Sequence, residues 1–178
     1  SSSAASDVYK RQDQDYFYSE KNLKRLKKAR AKKNAGIQSA TQDKIGTVGA
    51  VALDINGNIS AATSTGGMRN KMPGSVGDSQ IIGSGTWAQN VVCGVSSTGH
   101  GEYFIKYQVA REVCARIEYL DKNISTSSKE ILNELKNINA EGGLIAIDSE
   151  ANIAMPFNTD GMIRGSITSK SILNVAIY

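Results

Sequence analysis

Histidine is nearly missing from this sequence, which holds one in 178 residues, and cysteine occurs only twice. His100 cannot complete a metal cluster alone, and neither Cys93 nor Cys114 has a partner at a zinc-binding spacing, so no zinc site is expected. Both cysteines stand in apolar surroundings and read as buried thiols packing like small hydrophobes. Long apolar runs are lacking too. The longest are strand-sized pieces such as Val48 to Leu53, against the roughly 20 residues a membrane helix needs, so neither a span nor a membrane partner is expected. The opening residues have neither the basic start nor the apolar stretch of a signal peptide. A cytoplasmic location is the expectation, with periplasmic export left open.

Basic residues are scarce outside one segment. The formal charge is +4 and the pI about 9.0, yet Lys21, Lys24, Arg25, Lys27, Lys28, Arg30, Lys32 and Lys33 carry that excess. The run reads as a solvated helix face leading into a linker, and no nucleic-acid partner is expected. A hydrophobic share of 40% with 21% charged residues fits one ordinary domain with a sizeable core.

Along the chain, residues 1–12 show no hydrophobic pattern, and Asp7 to Gln12 matches the translation of an adaptor used in sequencing libraries. This segment is expected to be non-native. From Asp13, the apolar residues Tyr16, Phe17, Leu23 and Leu26 suit one stripe of a helix with Ser19 as N-cap and Glu20 in its first turn. Residues 34–44, with Gly36 and scattered Ser, Thr and Gln, read as a linker ending at Ile45-Gly46. Thr47 to Asp54 is then β-branched and small, Asn56-Gly57 signals a two-residue hairpin turn, and Asn58 to Thr65 is the return strand. A glycine-rich stretch leads to a strand at Val91 to Thr98. Helices are predicted at Glu102 to Tyr119 and Ser127 to Asn137, and strands at Gly143 to Asp148, Asn152 to Phe157 and Ile172 to Ile177. This order predicts an α+β domain with helices packed on antiparallel sheets. No internal repeat is visible.

Amide hydrolysis needs an activated nucleophile, and a threonine hydroxyl is weak without a base beside it. A threonine at a chain's N-terminus carries its own base, because an α-amine with a pKa near 7.7–8.0 is partly neutral at physiological pH. Thr47 takes that role once the bond after Gly46 is cut. A glycine before it tolerates the backbone conformations in which the scissile carbonyl is strained.

Four stretches raise this pattern above chance. They are Gly46-Thr47-Val48-Gly49-Ala50-Val51-Ala52-Leu53-Asp54, Ala62-Thr63-Ser64-Thr65-Gly66-Gly67, Gly77-Asp78-Ser79 and Ser97-Thr98-Gly99-His100-Gly101-Glu102. In order and spacing they resemble the β-subunit of the plant-type (type 2) L-asparaginase and isoaspartyl peptidase family. Gly142-Gly143-Leu144-Ile145 and Met155 to Met162 extend the likeness toward its bacterial branch.

The resemblance implies an Ntn-hydrolase αββα sandwich, here incomplete. Residues 13–46 correspond to the end of the α-subunit and its linker, and residues 47–178 to the β-subunit. It implies cleavage between Gly46 and Thr47, Thr47 as nucleophile, Thr65 as the hydroxyl that positions it, and Thr98 with Gly99 as the oxyanion hole. It implies that Asp78 binds the substrate's α-ammonium with help from the Gly101 carbonyl. The implied reaction is hydrolysis of L-asparagine and of β-aspartyl (isoaspartyl) peptides, on a small-molecule or dipeptide substrate and without a cofactor. The implied partners are the missing α-subunit segment and, for the intact form, a dimer of αβ units. One position departs from the family pattern: the arginine that clamps the substrate's α-carboxylate is Ser75, which cannot make a bidentate charged contact. Arg69 and Lys71 are cations in the same loop. A glycosylasparaginase-like or threonine-protease-like member of the fold, or a catalytically impaired remnant, are the alternatives.

Overall fold

The computed structural model describes residues 15, 18–34, 46–68, 70–72, 74–170 and 172–178, without the side chains of residues 32 and 33. The expected adaptor-like segment, the linker after residue 34, and Tyr16, Phe17 and Arg69 lie outside the described residues. The chain divides into two compact units, one of residues 1–45 and 68–72, the other of residues 46–67 and 73–178.

In the first unit, helix α1 spans Glu20–Asn34. It starts where the sequence predicts, because the Ser19 hydroxyl accepts the Asn22 N–H at 3.3 Å and the Ser19 carbonyl accepts Leu23 N–H at 2.9 Å. Lys21, Lys24, Arg25, Lys27, Lys28 and Arg30 are exposed, while Leu26 and Ala29 are half-buried. Among the described residues no helix is long and apolar enough to cross a membrane.

Among the described residues the second unit holds three antiparallel sheets and three helices. Strands β1 (Thr47–Leu53) and β2 (Ile59–Thr65) form a hairpin. Strands β3 (Thr86–Gln89), β4 (Cys93–Gly99), β5 (Gly142–Asp148) and β6 (Ile153–Ala154) form a sheet in the order β3-β4-β5-β6. Helices α2 (Gly101–Tyr107), α3 (Val109–Leu120) and α4 (Ile124–Asn137) run between β4 and β5. A separate hairpin, β7 (Arg164–Ile167) with β8 (Leu173–Ala176), ends the chain.

Side-chain alternation explains the layering. On β4, Cys93 and Val95 join the helices in a core with Phe104, Val113, Ile131 and Leu135. The opposite β4 face, Gly94, Ser96 and Thr98, meets the β1–β2 hairpin. Two glycines permit this close approach. A Cβ on Gly94 would stand 2.6 Å from Ile59 Cγ2, and one on Gly49 would stand 3.0 Å from Ser96 Cβ.

The α+β expectation stands, with corrections. The helix predicted from Glu102 to Tyr119 is broken at Gln108, whose φ of 48° and ψ of 49° are left-handed. The cause is tertiary: Ala110 N–H donates to the Ser84 carbonyl at 3.1 Å and Arg111 N–H to the Gly83 carbonyl at 2.8 Å, so the 83–84 loop caps a new helix start. The strand predicted from Val91 begins at Cys93, because Val91 sits at φ 71° in the turn after β3. Strands β3 and β7, too short for a periodic signal, are additions. Cys93 and Cys114 are fully buried, as read, but joined in a disulfide with Cα atoms 5.6 Å apart. They tie β4 to α3 and are not the thiols expected.

The turn after β1 also differs from the expected two-residue type. Asp54 accepts N–H bonds from Asn56 at 2.8 Å and Asn58 at 2.7 Å and the Asn58 side-chain amide at 2.8 Å, clasping a longer loop. Asp148 makes the same clasp after β5, with Glu150 N–H at 3.0 Å, Asn152 N–H at 2.8 Å and the Asn152 amide at 2.9 Å. Gly49-Ala50-Val51-Ala52-Leu53-Asp54 and Gly143-Leu144-Ile145-Ala146-Ile147-Asp148 lead into these turns, and Asn58-Ile59 and Asn152-Ile153 leave them. The facing sheets thus each contain one copy of a short repeat that the sequence analysis missed.

Candidate active site

Thr47 is the first residue of β1 and Thr65 the last of β2, and antiparallel register makes them direct partners. Both side chains lie on the hairpin face turned toward β4, the face of the half-buried residues Val51, Leu53, Ala61 and Thr63. Thr98 lies on the β4 face that looks back. Three hydroxyls therefore meet at one end of the two-sheet stack. Thr98 Oγ1 donates to Thr47 Oγ1 at 2.9 Å, Thr47 Oγ1 donates to Thr65 Oγ1 at 3.0 Å, and Gly67 N–H donates to Thr65 Oγ1 at 3.0 Å. Each of these bonds is part-buried. A proton on Thr47 is directed at an oxygen whose position strand pairing and a backbone N–H both fix.

Gly99 follows Thr98 at the end of β4, packed so tightly against the Phe104 ring and the Glu141 carbonyl that no side chain fits there. His100 closes the same corner, its N–H donating to the Glu141 carbonyl at 2.9 Å and its Nδ1 accepting the Glu141 N–H at 3.1 Å.

The second half of the predicted site is the loop at Asp78. Asp78 is buried, at 6% exposure, although a carboxylate is rarely placed so deep without a function or a partner. Its carbonyl accepts Ile81 N–H at 2.9 Å and Gly85 N–H at 3.1 Å. Gly101 lies against it, since a Cβ there would stand 3.2 Å from Asp78 Oδ1. The structure thus brings Thr47, Thr65 and Thr98 together, and Asp78 with Gly101. Ser75 is exposed, and Lys71 belongs to the other unit. Gly46 is exposed, and among the described residues nothing lies within 4 Å of a Cβ built on it.

Sequence reasoning missed Thr63, whose hydroxyl reaches from the hairpin to Ser96 and Thr86 of the four-stranded sheet. The signal was present: Thr63 and Thr65 are two apart on one strand and share a face.

An α+β fold with a threonine-hydroxyl centre between two antiparallel sheets is the class the geometry defines. A family model described as Asparaginase matches residues 3–177. The isoaspartyl peptidase of Escherichia coli (strain K12) is 48% identical over 132 residues, covering 74% of this chain and 41% of that protein. The isoaspartyl peptidase of Salmonella typhimurium is 49% identical over 122 residues, 68% of this chain and 39% of that protein. The isoaspartyl peptidase/L-asparaginase of Bos taurus is 40% identical over 144 residues, 80% and 46% of the two chains. This chain belongs to the plant-type asparaginase and isoaspartyl peptidase family. It spans less than half the length of these curated relatives.

Proposed function

We propose that the protein containing this chain hydrolyses the side-chain amide of L-asparagine and the isopeptide bond of β-aspartyl peptides, with Thr47 as nucleophile. The hydroxyl chain from Thr98 through Thr47 to Thr65, at 2.9 and 3.0 Å, carries this reading, and the names of the relatives support the substrate class. In the uncut chain Thr47 Oγ1 attacks the Gly46 carbonyl carbon, the acyl group moves from nitrogen to oxygen and so frees the Thr47 α-amine, and water then hydrolyses the ester to release the Gly46 carboxylate and restore the Thr47 hydroxyl. That amine then takes the hydroxyl proton as Oγ1 attacks the substrate amide. The leaving ammonia or amino acid departs with a proton, and water resolves the β-aspartyl ester.

Thr98 and the Gly99 N–H serve the tetrahedral oxygen. The Asp78 carboxylate and Gly101 carbonyl take the substrate's α-ammonium. The substrate's α-carboxylate falls to the Ser75 side of the loop, where a neutral hydroxyl replaces a charged clamp. That replacement favours a second reading, an enzyme weakened toward or redirected from aspartyl substrates.

The finer fold reading is the αββα sandwich of the Ntn hydrolases, incomplete in this chain. It is supported by the facing sheets, by the helices over the larger one, and by the exposed outer residues Val48, Ala50, Ala52 and Ala62 of the hairpin. In the whole protein, an α-subunit ending at Gly46 and a dimer of αβ units complete the proposal.

Intact-mass analysis of the full-length protein tests it: a fragment beginning at Thr47 is expected, together with aspartate released from L-asparagine and a β-aspartyl dipeptide. Normal processing of Thr47→Ala would remove Thr47 from this role.

A further inference from the structure

Behind the three threonines lies a second tier of hydroxyls, one strand pair deeper. Thr63 Oγ1 donates to the Gly85 carbonyl at 3.0 Å, stands 2.6 Å from Ser96 Oγ, and accepts from Thr86 Oγ1. With its single proton committed to Gly85, the Thr63 oxygen takes the Ser96 and Thr86 protons, which fills the capacity of a hydroxyl. Gly85 is the hub of this tier. Its carbonyl also accepts Ser97 N–H at 2.8 Å, and its N–H donates to the Asp78 carbonyl at 3.1 Å. A Cβ on Gly85 would lie 2.6 Å from Ser79 Cα and 2.7 Å from the Asp78 carbonyl oxygen, so Gly85 and Asp78 cannot move independently.

Three parts of the candidate site converge on this tier. Thr63 is two residues before Thr65 on one strand face. Ser96 and Ser97 immediately precede Thr98. Asp78 hangs from Gly85. We propose that Thr63 is a positioning residue of the hydrolytic reaction, which holds the Thr65 strand, the Thr98 strand and the Asp78 loop in register through the Gly85 carbonyl. Its hydroxyl is too far down the strand to meet substrate; it acts through the groups that do. The inference rests on the proposed hydrolase reading and deepens it.

Hydroxyls in a part-buried network are costly to orphan, and a small misplacement of reacting groups slows chemistry steeply. Thr63→Val keeps the shape and removes the hydroxyl, while Thr63→Ser keeps the hydroxyl and loses a methyl. In the full-length protein, measured on a β-aspartyl dipeptide, Thr63→Val is expected to lower kcat by about ten- to a hundredfold and to raise KM. Both ends of the site would loosen together. Thr63→Ser is expected to restore kcat to within about threefold of wild type.

Serine and valine variants that are equally impaired would show that the methyl packing matters and not the hydroxyl, which overturns the inference. So would a valine variant with lowered melting temperature and unchanged kcat and KM. If Thr63→Val does not fold, the double variant Ser96→Ala with Thr86→Val removes the two donors instead and is expected to lower kcat by about three- to tenfold. Unchanged kcat there overturns the inference equally. A wild-type protein inactive on every β-aspartyl and asparagine substrate would overturn the hydrolase reading itself, and this inference with it.

Discussion

Thr98 Oγ1 and Thr47 Oγ1 are 2.9 Å apart, although one side chain belongs to the four-stranded sheet and the other to the hairpin packed on it. No backbone hydrogen bond links the two strands that carry them. Their distance is set by sheet-to-sheet packing, and so by the glycines and small side chains between the sheets.

Thr98→Val removes the hydroxyl while keeping the packing. In the full-length protein it is expected to reduce kcat by about 10²–10³, the usual cost of one oxyanion donor, with less effect on KM. Steady-state kinetics on L-asparagine checks this, and an unaltered kcat would exclude Thr98 from the transition state.

Ser75→Arg is expected to raise kcat/KM for β-aspartyl substrates by about tenfold or more, because a charge-assisted contact is worth roughly 1.5–3 kcal/mol. A matching substrate without the α-carboxylate should gain nothing. If both respond equally, Ser75 lies outside the carboxylate pocket.

The twin turns give a paired stability test. Gly57 has φ 83° and Ala151, at the same place in the second turn, has φ 65°. Left-handed backbone costs a non-glycine residue about 1–2 kcal/mol, so Gly57→Ala is expected to destabilise by up to about 1 kcal/mol once the smaller unfolded-state entropy of alanine is counted. Ala151→Gly should stabilise by up to about 1 kcal/mol after the entropy of the extra glycine is counted. Urea unfolding midpoints read both, and a destabilising Ala151→Gly would show that the second turn is not a copy of the first.

Acid should weaken the Asp54 clasp in a defined direction. The Asp54 carboxyl is held below its usual value, first by the Asn58 side-chain amide and then by backbone N–H groups. Glu130 is held below its own, first by Lys122, whose Nζ is 2.6 Å away. Carboxyls with lowered folded pKa values contribute stability above the unfolded value, near 4, and lose it as pH falls through the folded one. Asp54→Asn is therefore expected to flatten the decline of the urea midpoint between about pH 5 and pH 2. An acid limb parallel to wild type would mean that the Asp54 clasp does not titrate with folding.

Much of this protein was determined by its sequence alone. The hairpin from Thr47 to Thr65 is local: alternating small and β-branched residues make the strands, and the Asp54 to Asn58 turn makes the reversal. The Ser19 start of α1 and the strand through Ser97 and Thr98 are legible for the same reason, and the grouping of candidate residues came from motifs in the linear sequence. Tertiary structure decided the rest. Gln108 turns left-handed because two carbonyls from a distant loop cap the helix after it. Cys93 and Cys114, separated by 21 positions, form a disulfide because β4 and α3 share one core. Thr63 looks like any strand threonine until Gly85, Ser96 and Thr86 arrive from other strands and loops. Local periodicity fixes which face a side chain takes, but what waits on the far side of that face depends on how the layers pack, and no pattern within one strand contains that information.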